Sequence, residues 1–578
     1  MPSMKEKSKP YITPHERRSL LEQGYPVWNV LTISGALDRA VDKYPDRPLI
    51  ISDQRQWTYA EIQDWSRRIA SGLIAHGLKT GEHVALDMAN YPEFVAVKYA
   101  IARAGAVCVP VNFLLRGEEL AYVLHQSDSA MLVIMDEFRG QNYVTELEKI
   151  SSAVPSLRQT FILRTVQNDV SDSPTIETLI AAATDESDAE LARREAAADG
   201  RTLSDIIYTS GTTGRSKGVM LTHDMVLRAA YSSVYAAAFE DGRRMQFAMP
   251  MYHVFGYTEC MLAVLFVGGA IIPHLVFDPA IMLDAAERHQ TTELVGVPMM
   301  TQKFIEVAQE RGFDSRHLLV MFNSGGANPP SIWQDIREAL GVHEMRMGYG
   351  MTETAASATS SEPEGDDLLL MSTHGRFKPA NVAGDAAIGG RVAIYKTIDP
   401  ETLNDMPVGE EGELVVRGPV VTRGYYKKPE ETDAAFTTDG WFRTGDVGRV
   451  SADNYVSLTG RIKETYRCNG EMVMPREVEL LFDDYPEIEQ ALVVGIPDAR
   501  SGEAGCLCIV RQAGKQPDPD ALVEICRRNL ARFKVPKHIL FLEPADIPLT
   551  VTGRPQKFKL AKLVAERINN NSGEKECL

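Results

Sequence analysis

The sequence predicts an α/β protein with more than one sheet, on three observations. The chain has 578 residues, several times the ~100–200 residues of a single domain. Its 44% hydrophobic and 24% charged content is that of a soluble globular protein. Apolar strand-like runs alternate with helix-period segments in the N-terminal part, the pattern of βαβ units and a parallel sheet.

Residues 1–30 read as a poorly ordered lead-in. Thr58 precedes Tyr59-Ala60-Glu61, a helix start, and Ile62, Trp65, Ile69, Leu73 and Ile74 then recur at helical spacing. Gly77 closes that helix. Residues 83–88 read as a strand, 93–103 as a helix and 106–111 as a buried strand. The charged, Ala-rich stretch 185–200 is expected as an exposed helix or linker that leads to a strand over 203–208. The longest apolar run, 261–277, is interrupted by Gly268, Gly269, Pro273 and His274. It falls short of the ~18–20 clean apolar residues of a membrane span and reads as buried strand and helix.

Residues 208–223 read Y-T-S-G-T-T-G-R-S-K-G-V-M-L-T-H. Glycines let a backbone approach an anion closely, and consecutive N–H groups make an anion-binding concavity. The hydroxyls of Thr209, Ser210, Thr212 and Thr213 add donors around Gly211 and Gly214, and Lys217 adds a mobile charge. The spacing is not that of the Walker loop, which needs G-x-x-x-x-G-K-[ST]. The plain alternative is a Gly/Thr/Ser-rich surface loop. T-S-G-T-T-G-x-x-K-G resembles the signature loop of the adenylate-forming superfamily, which comprises acyl-CoA synthetases, luciferases and peptide-synthetase adenylation domains. The resemblance implies that this loop holds the ATP phosphates. Ser216 stands where that family usually has proline.

Further motifs follow in the family's order. Residues 105–112 read G-A-V-x-V-P-x-N. His253 lies in an apolar run that reads P-x-x-H-x-x-G. Alone it could be a core histidine with satisfied nitrogens; the resemblance implies a place beside the carboxylate substrate. After a strand ending near Val297-Pro298, Phe322-Asn323-Ser324-Gly325-Gly326-Ala327 reads as a strand entering a Gly turn on which a flat ligand can stack. The resemblance makes it the adenine loop. Residues 347–354 pair Thr352 with Glu353 after a Gly-rich turn, a hydroxyl for phosphate and a carboxylate for Mg²⁺, which takes one or two carboxylates plus substrate phosphates. The pair would also serve as a helix cap. The match to Y-G-x-T-E implies that Tyr349 stacks on adenine beside Gly350, Thr352 contacts the α-phosphate and Glu353 holds the metal.

Residues 362–411 read as irregular. Asp446, after a tight turn in W-F-x-T-G-D, suits the ribose hydroxyls as acidic residues do in dinucleotide sites; the alternative is an ordinary turn aspartate. By resemblance, Arg461 reaches the ribose and phosphates and Lys463 is the hinge between two domains. These are a large, multi-sheet N-terminal α/β domain over 31–462 and a small, mobile C-terminal α/β domain over 463–578. Asn469-Gly470-Glu471 stands at the family's coenzyme A tunnel, with Asn469 in place of a glycine. Near the end, P-L-T-V-T-G-R-P-Q-K puts Arg554 where the family has its catalytic lysine. Arginine keeps the charge but presents a planar fork. Lys557 or Lys559 could substitute.

The expected activity is that of an ATP-dependent, AMP-forming acid–thiol ligase of the acyl-CoA synthetase type. A carboxylic acid, ATP and coenzyme A are its small-molecule partners, and Lys217, Thr352, Glu353 and Arg554 its catalytic residues. The acyl pocket is expected among His253, Met299, Met300, Asn323 and Met351, whose methionines suit a medium-chain, branched or aryl acid. Alternatives are an adenylating ligase that loads a carrier-protein thiol or an amine, although no carrier domain is expected after the small domain; a luciferase-like oxidase; and a binding homologue disabled by Arg554. Lys+Arg number 61 against 79 Asp+Glu, a net charge of −18, which argues against nucleic-acid binding. Seven scattered cysteines and no secretion signal point to a reducing, cytoplasmic setting. A peroxisomal one is the alternative, since Glu576-Cys577-Leu578 shares only its leucine with S-K-L.

Overall fold

The computed structural model describes residues 11–166, 174–209, 216–325, 331–468, 471–498, 500–550, 553 and 555–570. A large N-terminal α/β region of several sheets is followed by a small C-terminal α/β region. The first sheet has six strands in the order Lys217–Thr222, Leu203–Thr209, Val107–Pro110, His83–Asp87, Ser129–Met135 and Gln159–Leu163. All neighbours are parallel except the first two, whose antiparallel pairing sets Lys217 opposite Thr209. The central strands are buried along their whole length, as expected where helices cover both faces. The helix Tyr59–Ala75 begins as its sequence predicts. Thr58 accepts from the Glu61 amide at 3.1 Å, and Glu61 accepts from the Thr58 amide at 2.8 Å.

The second sheet has seven strands, ordered Glu344–Arg346, Val320–Asn323, Glu293–Gly296, Arg244–Phe247, Ala270–Pro273, Pro48–Ile51 and Gln56–Thr58. Its strands are parallel apart from the last. One apolar core joins the two sheets. The long apolar run is buried in it as a π-helix over Phe255–Leu262, a 3₁₀ turn over Ala263–Val267 and the strand Ala270–Pro273. No helix among the described residues is long and apolar enough to cross a membrane. An antiparallel sheet of Ile394–Ile398, Gly412–Arg417, Phe442–Val450 and Val456–Arg461 packs alongside. The C-terminal region has its own sheet, in which the long hairpin of Ile488–Asp498 and Gly502–Arg511 carries His538–Leu542 on its edge, and two apolar clusters of its own.

Two expectations need correction. The lead-in contains a helix, Pro14–Gly24, capped by Thr13 and Glu16. Its sequence shows no clear apolar stripe because charge holds it. Arg17 is 2% exposed and pairs with Glu344, and Arg18 donates to the carbonyl of Ala236 at 2.6 Å. Residues 362–411 are not irregular throughout: they include the helix Asp367–Ser372 and the edge strand Ile394–Ile398, which pairs along its length with Gly412–Arg417.

Candidate active site

The site lies where the ends of these sheets meet. Lys217 opens the strand that runs back along Leu203–Thr209, and Gly218 is required beside it. A Cβ there would come within 2.6 Å of Ile206 Cγ2 and 3.1 Å of the Tyr208 ring. The Lys217 ammonium sits over the Tyr425 ring, 4.7 Å from its centre. The Tyr425 hydroxyl donates to Glu353 Oε1 at 3.0 Å. The same short segment ties both partners down. The Thr422 amide donates to the Glu353 carbonyl at 2.7 Å, the Thr422 hydroxyl to the Met220 carbonyl at 2.7 Å, and the Tyr426 amide to the Gly218 carbonyl at 2.8 Å. Tyr425 thus stands between the phosphate-loop lysine and the motif carboxylate. The sequence reading assigned it no role, although its signal was present as an aromatic pair after Gly424.

Thr352 and Glu353 are buried in a 3₁₀ turn that Ala355 ends at φ +59°. Burial raises the Glu353 carboxyl above its ordinary range, against the opposing pull of the Tyr425 hydroxyl and Arg461. Among the described residues no group of three metal-ligating side chains exists. A lone carboxylate of this kind fits Mg²⁺, which keeps waters and substrate phosphates as its other ligands.

At the other end, Asp446 is buried and already engaged. It accepts from the Tyr349 hydroxyl at 2.6 Å and pairs with Arg461 at 2.6 Å across the strands Phe442–Val450 and Val456–Arg461. Three predicted residues therefore meet in one cluster, and a ribose that reached Asp446 would compete with the Tyr349 and Arg461 contacts. Gly350 packs so tightly that a Cβ would fall 2.1 Å from the Ala356 carbonyl. Gly325 turns at φ +94°, and the Ser324 hydroxyl ties that turn to the Gly348 carbonyl at 2.6 Å.

The expected acyl-pocket residues come from four segments. The Phe255 amide donates to His253 Nδ1 at 3.2 Å, and burial pushes the imidazole down to about 4, so it is neutral. Asn323 is buried and accepts from the Thr301 hydroxyl at 3.0 Å. Met351 is half-buried. Met299 is 52% exposed, and its Cε lies 3.0 Å from where Gly553 would carry a Cβ. Gly553 thus lies close to Met299. Lys463 is depressed by burial and by the charges of Lys217 and Arg461. Lys557 pairs with Glu479 at 2.7 Å inside the C-terminal region, which speaks against its standing in for the family lysine. Ser210, Gly211, Thr212, Thr213, Gly214, Gly326, Ala327, Asn469, Gly470 and Arg554 lie outside the described residues, as does the Glu471 side chain.

Lys217, Tyr425 and Glu353 thus form one strip, and Tyr349, Asp446 and Arg461 a second cluster. The family model for AMP-binding enzymes matches residues 37–426, and that for the AMP-binding enzyme C-terminal domain matches 477–554. This chain belongs to the AMP-binding enzyme family. It is similar to YngI of Bacillus subtilis (strain 168), a candidate acyl-CoA synthetase, at 33% identity over 94% of this chain and 99% of that one. The mitochondrial medium-chain acyl-CoA ligase ACSF2 of Danio rerio is 28% identical over 93% of this chain and 89% of its own. The ATP-bound crystal structure of MatB from Rhodopseudomonas palustris superposes with a TM-score of 0.79 at 27% identity, over 93% of this chain and all of that one. The chain is an AMP-forming ligase of the acyl-CoA synthetase type.

Proposed function

We propose that this ligase joins a monocarboxylic acid with an apolar or aromatic tail to coenzyme A in two steps. In the first, the carboxylate oxygen attacks the α-phosphorus of ATP and pyrophosphate leaves. In the second, the coenzyme A thiol attacks the acyl carbonyl of the adenylate and AMP leaves with the bonding pair. The observation that carries the reading is the strip Lys217–Tyr425–Glu353, which sets a cation and a carboxylate on either side of one phenol. Lys217 meets the charge that develops on the phosphates, Thr352 contacts the α-phosphate and Arg554 bridges it to the carboxylate. Mg²⁺, held by Glu353, would neutralise phosphate charge. Asp446 and Arg461 hold the ribose, Tyr349 and the Gly325 turn the adenine. Lys463 is the pivot about which the C-terminal region turns, bringing Asn469, Gly470 and Glu471 to the thiol.

A neutral His253 and the thioethers of Met299 and Met351 favour an uncharged tail over a second carboxylate. The test is acid-dependent ATP–pyrophosphate exchange over fatty, aryl and short dicarboxylic acids, followed by coenzyme A-dependent release of AMP. Exchange with an apolar monocarboxylate is expected, and preference for a dicarboxylate would overturn the substrate class. Exchange by Arg554→Lys alone would mark Arg554 as a disabling change. Thioester formed only on a carrier protein would replace coenzyme A as acceptor.

A further inference from the structure

A single buried ammonium, that of Lys378, touches three segments that lead to residues of the site. Lys378 is 1% exposed. Its Nζ donates to the Ser233 hydroxyl at 2.6 Å, the Ser357 hydroxyl at 2.6 Å and Glu259 Oε1 at 3.0 Å. Glu259 is equally buried and accepts as well from the Ser357 amide at 2.9 Å and, by a short bond, from the Ser357 hydroxyl. Its other oxygen lies 3.7 Å from Arg346, which pairs in turn with Glu293.

Each partner belongs to a different part of the site. Ser233 is on the helix His223–Ala236, which follows the Lys217 strand directly. Glu259 is inside the π-helix Phe255–Leu262, whose entry is capped by His253 Nδ1. Ser357 pairs with Gly350 in the two-stranded ribbon that carries Gly350 and Met351, just ahead of Thr352 and Glu353. Arg346 ends the strand that leads into Tyr349. A π-helix widens the backbone ladder at a strain cost and is frequent at functional sites. Here the wider turn lies in the stretch that carries Glu259 to the ribbon. The buried pair is weak evidence of stability, because removing two charges from water costs about as much as their attraction returns. Directional bonds to three chain segments do constrain where those segments stand.

We propose that Lys378, acting with Glu259, is a positioning residue for acyl-adenylate formation. It holds the phosphate-side helix, the acid-side π-helix and the nucleotide ribbon in one register. The proposal rests on the ligase reading above. Because misplacement by about 1 Å can cost about 100-fold in rate, its loss is felt in the transition state more than in binding.

The test uses the whole chain with Glu259→Gln and Lys378→Met combined, which leaves no uncompensated charge on either partner. At a temperature well below its melting point, kcat for ATP–pyrophosphate exchange is expected to fall about 30-fold, with KM for ATP and acid moving less than about three-fold. Ser233→Ala, which removes one small contact, is expected to lower kcat about three-fold and leave the melting temperature near that of wild type. An unchanged kcat in the folded double variant, or a raised KM with kcat intact, overturns the proposal. Should the double variant not fold, Ser233→Ala and Glu259→Gln decide it by the same criterion. Should wild type exchange with no acid, the ligase reading fails on its own. Amide hydrogen exchange then tests the bridge: in Ser233→Ala and Glu259→Gln, residues 223–236 and 349–358 should lose protection together while 83–87 keeps it. Independent behaviour of the two segments would overturn the proposal.

Discussion

Tyr425 shows how a side chain to which the sequence gives no role can organise the motifs around it. Its ring carries the Lys217 ammonium and its hydroxyl holds Glu353. Tyr425→Phe keeps the ring and loses only the hydrogen bond, worth about 1.5–3 kcal/mol to a charged partner. The expected result is a fall of about ten-fold or more in kcat for pyrophosphate exchange with a folded protein, read by steady-state kinetics. Glu353 itself is held at a cost, because burial raises its carboxyl. A carboxyl raised by folding binds protons more tightly in the native state, so its penalty is absent below the unfolded value. It grows as pH rises and is complete above the folded value. Glu353→Gln should therefore melt higher than wild type at pH 8 without ligands, and the gap should close by pH 4 while activity is lost. Equal melting temperatures at both pH values would show that burial imposes no such cost.

At the scale of elements, the helix Pro14–Gly24 and the strand Glu344–Arg346 are 320 or more residues apart in sequence and share one buried ion pair, Arg17 with Glu344. Breaking such a pair on one side costs about 3–5 kcal/mol, since it strands a charge in the interior. Arg17→Met should lower the unfolding free energy from denaturant titration by that much, and Arg17→Met with Glu344→Gln should recover most of it. The helix Tyr59–Ala75 is the contrasting case. Its box of Thr58 and Glu61 and its apolar spacing are local, and it begins where the sequence places it. Short-range chemistry could be read directly, whereas a helix anchored by a distant strand could not.

At the scale of the whole molecule, four histidines at separate places are kept neutral by burial. His223, His253, His274 and His374 are each pushed down to about 4. His223 accepts from the Ile33 amide at 3.3 Å, and His374 from the Leu458 amide at 3.2 Å, bonds that an imidazolium would lose. The sign follows from linkage: the unfolded chain takes up protons below about 6.5 and the folded one only near 4. Stability should thus hold above pH 7 and fall progressively between about pH 6.5 and 4. Thermal melts across that range should show the loss, and His374→Asn, which retains a polar group without the titration, should make it shallower.

The sequence by itself determined the α/β class, the chemistry of the phosphate strand at Lys217 and the order of the nucleotide motifs, because these depend on residues adjacent in the chain. The Thr58 cap, the buried strands around Val84 and Val109 and the Gly turn at Gly325 belong to the same group. Tertiary structure alone decided that Asp446 is shared by Tyr349 and Arg461, that Tyr425 separates Lys217 from Glu353, and that Lys378 joins three segments. Each of these rests on contacts between residues tens to hundreds of positions apart. Hydrogen-bond geometry and burial select such pairs only once the sheets have packed, and no local propensity records them.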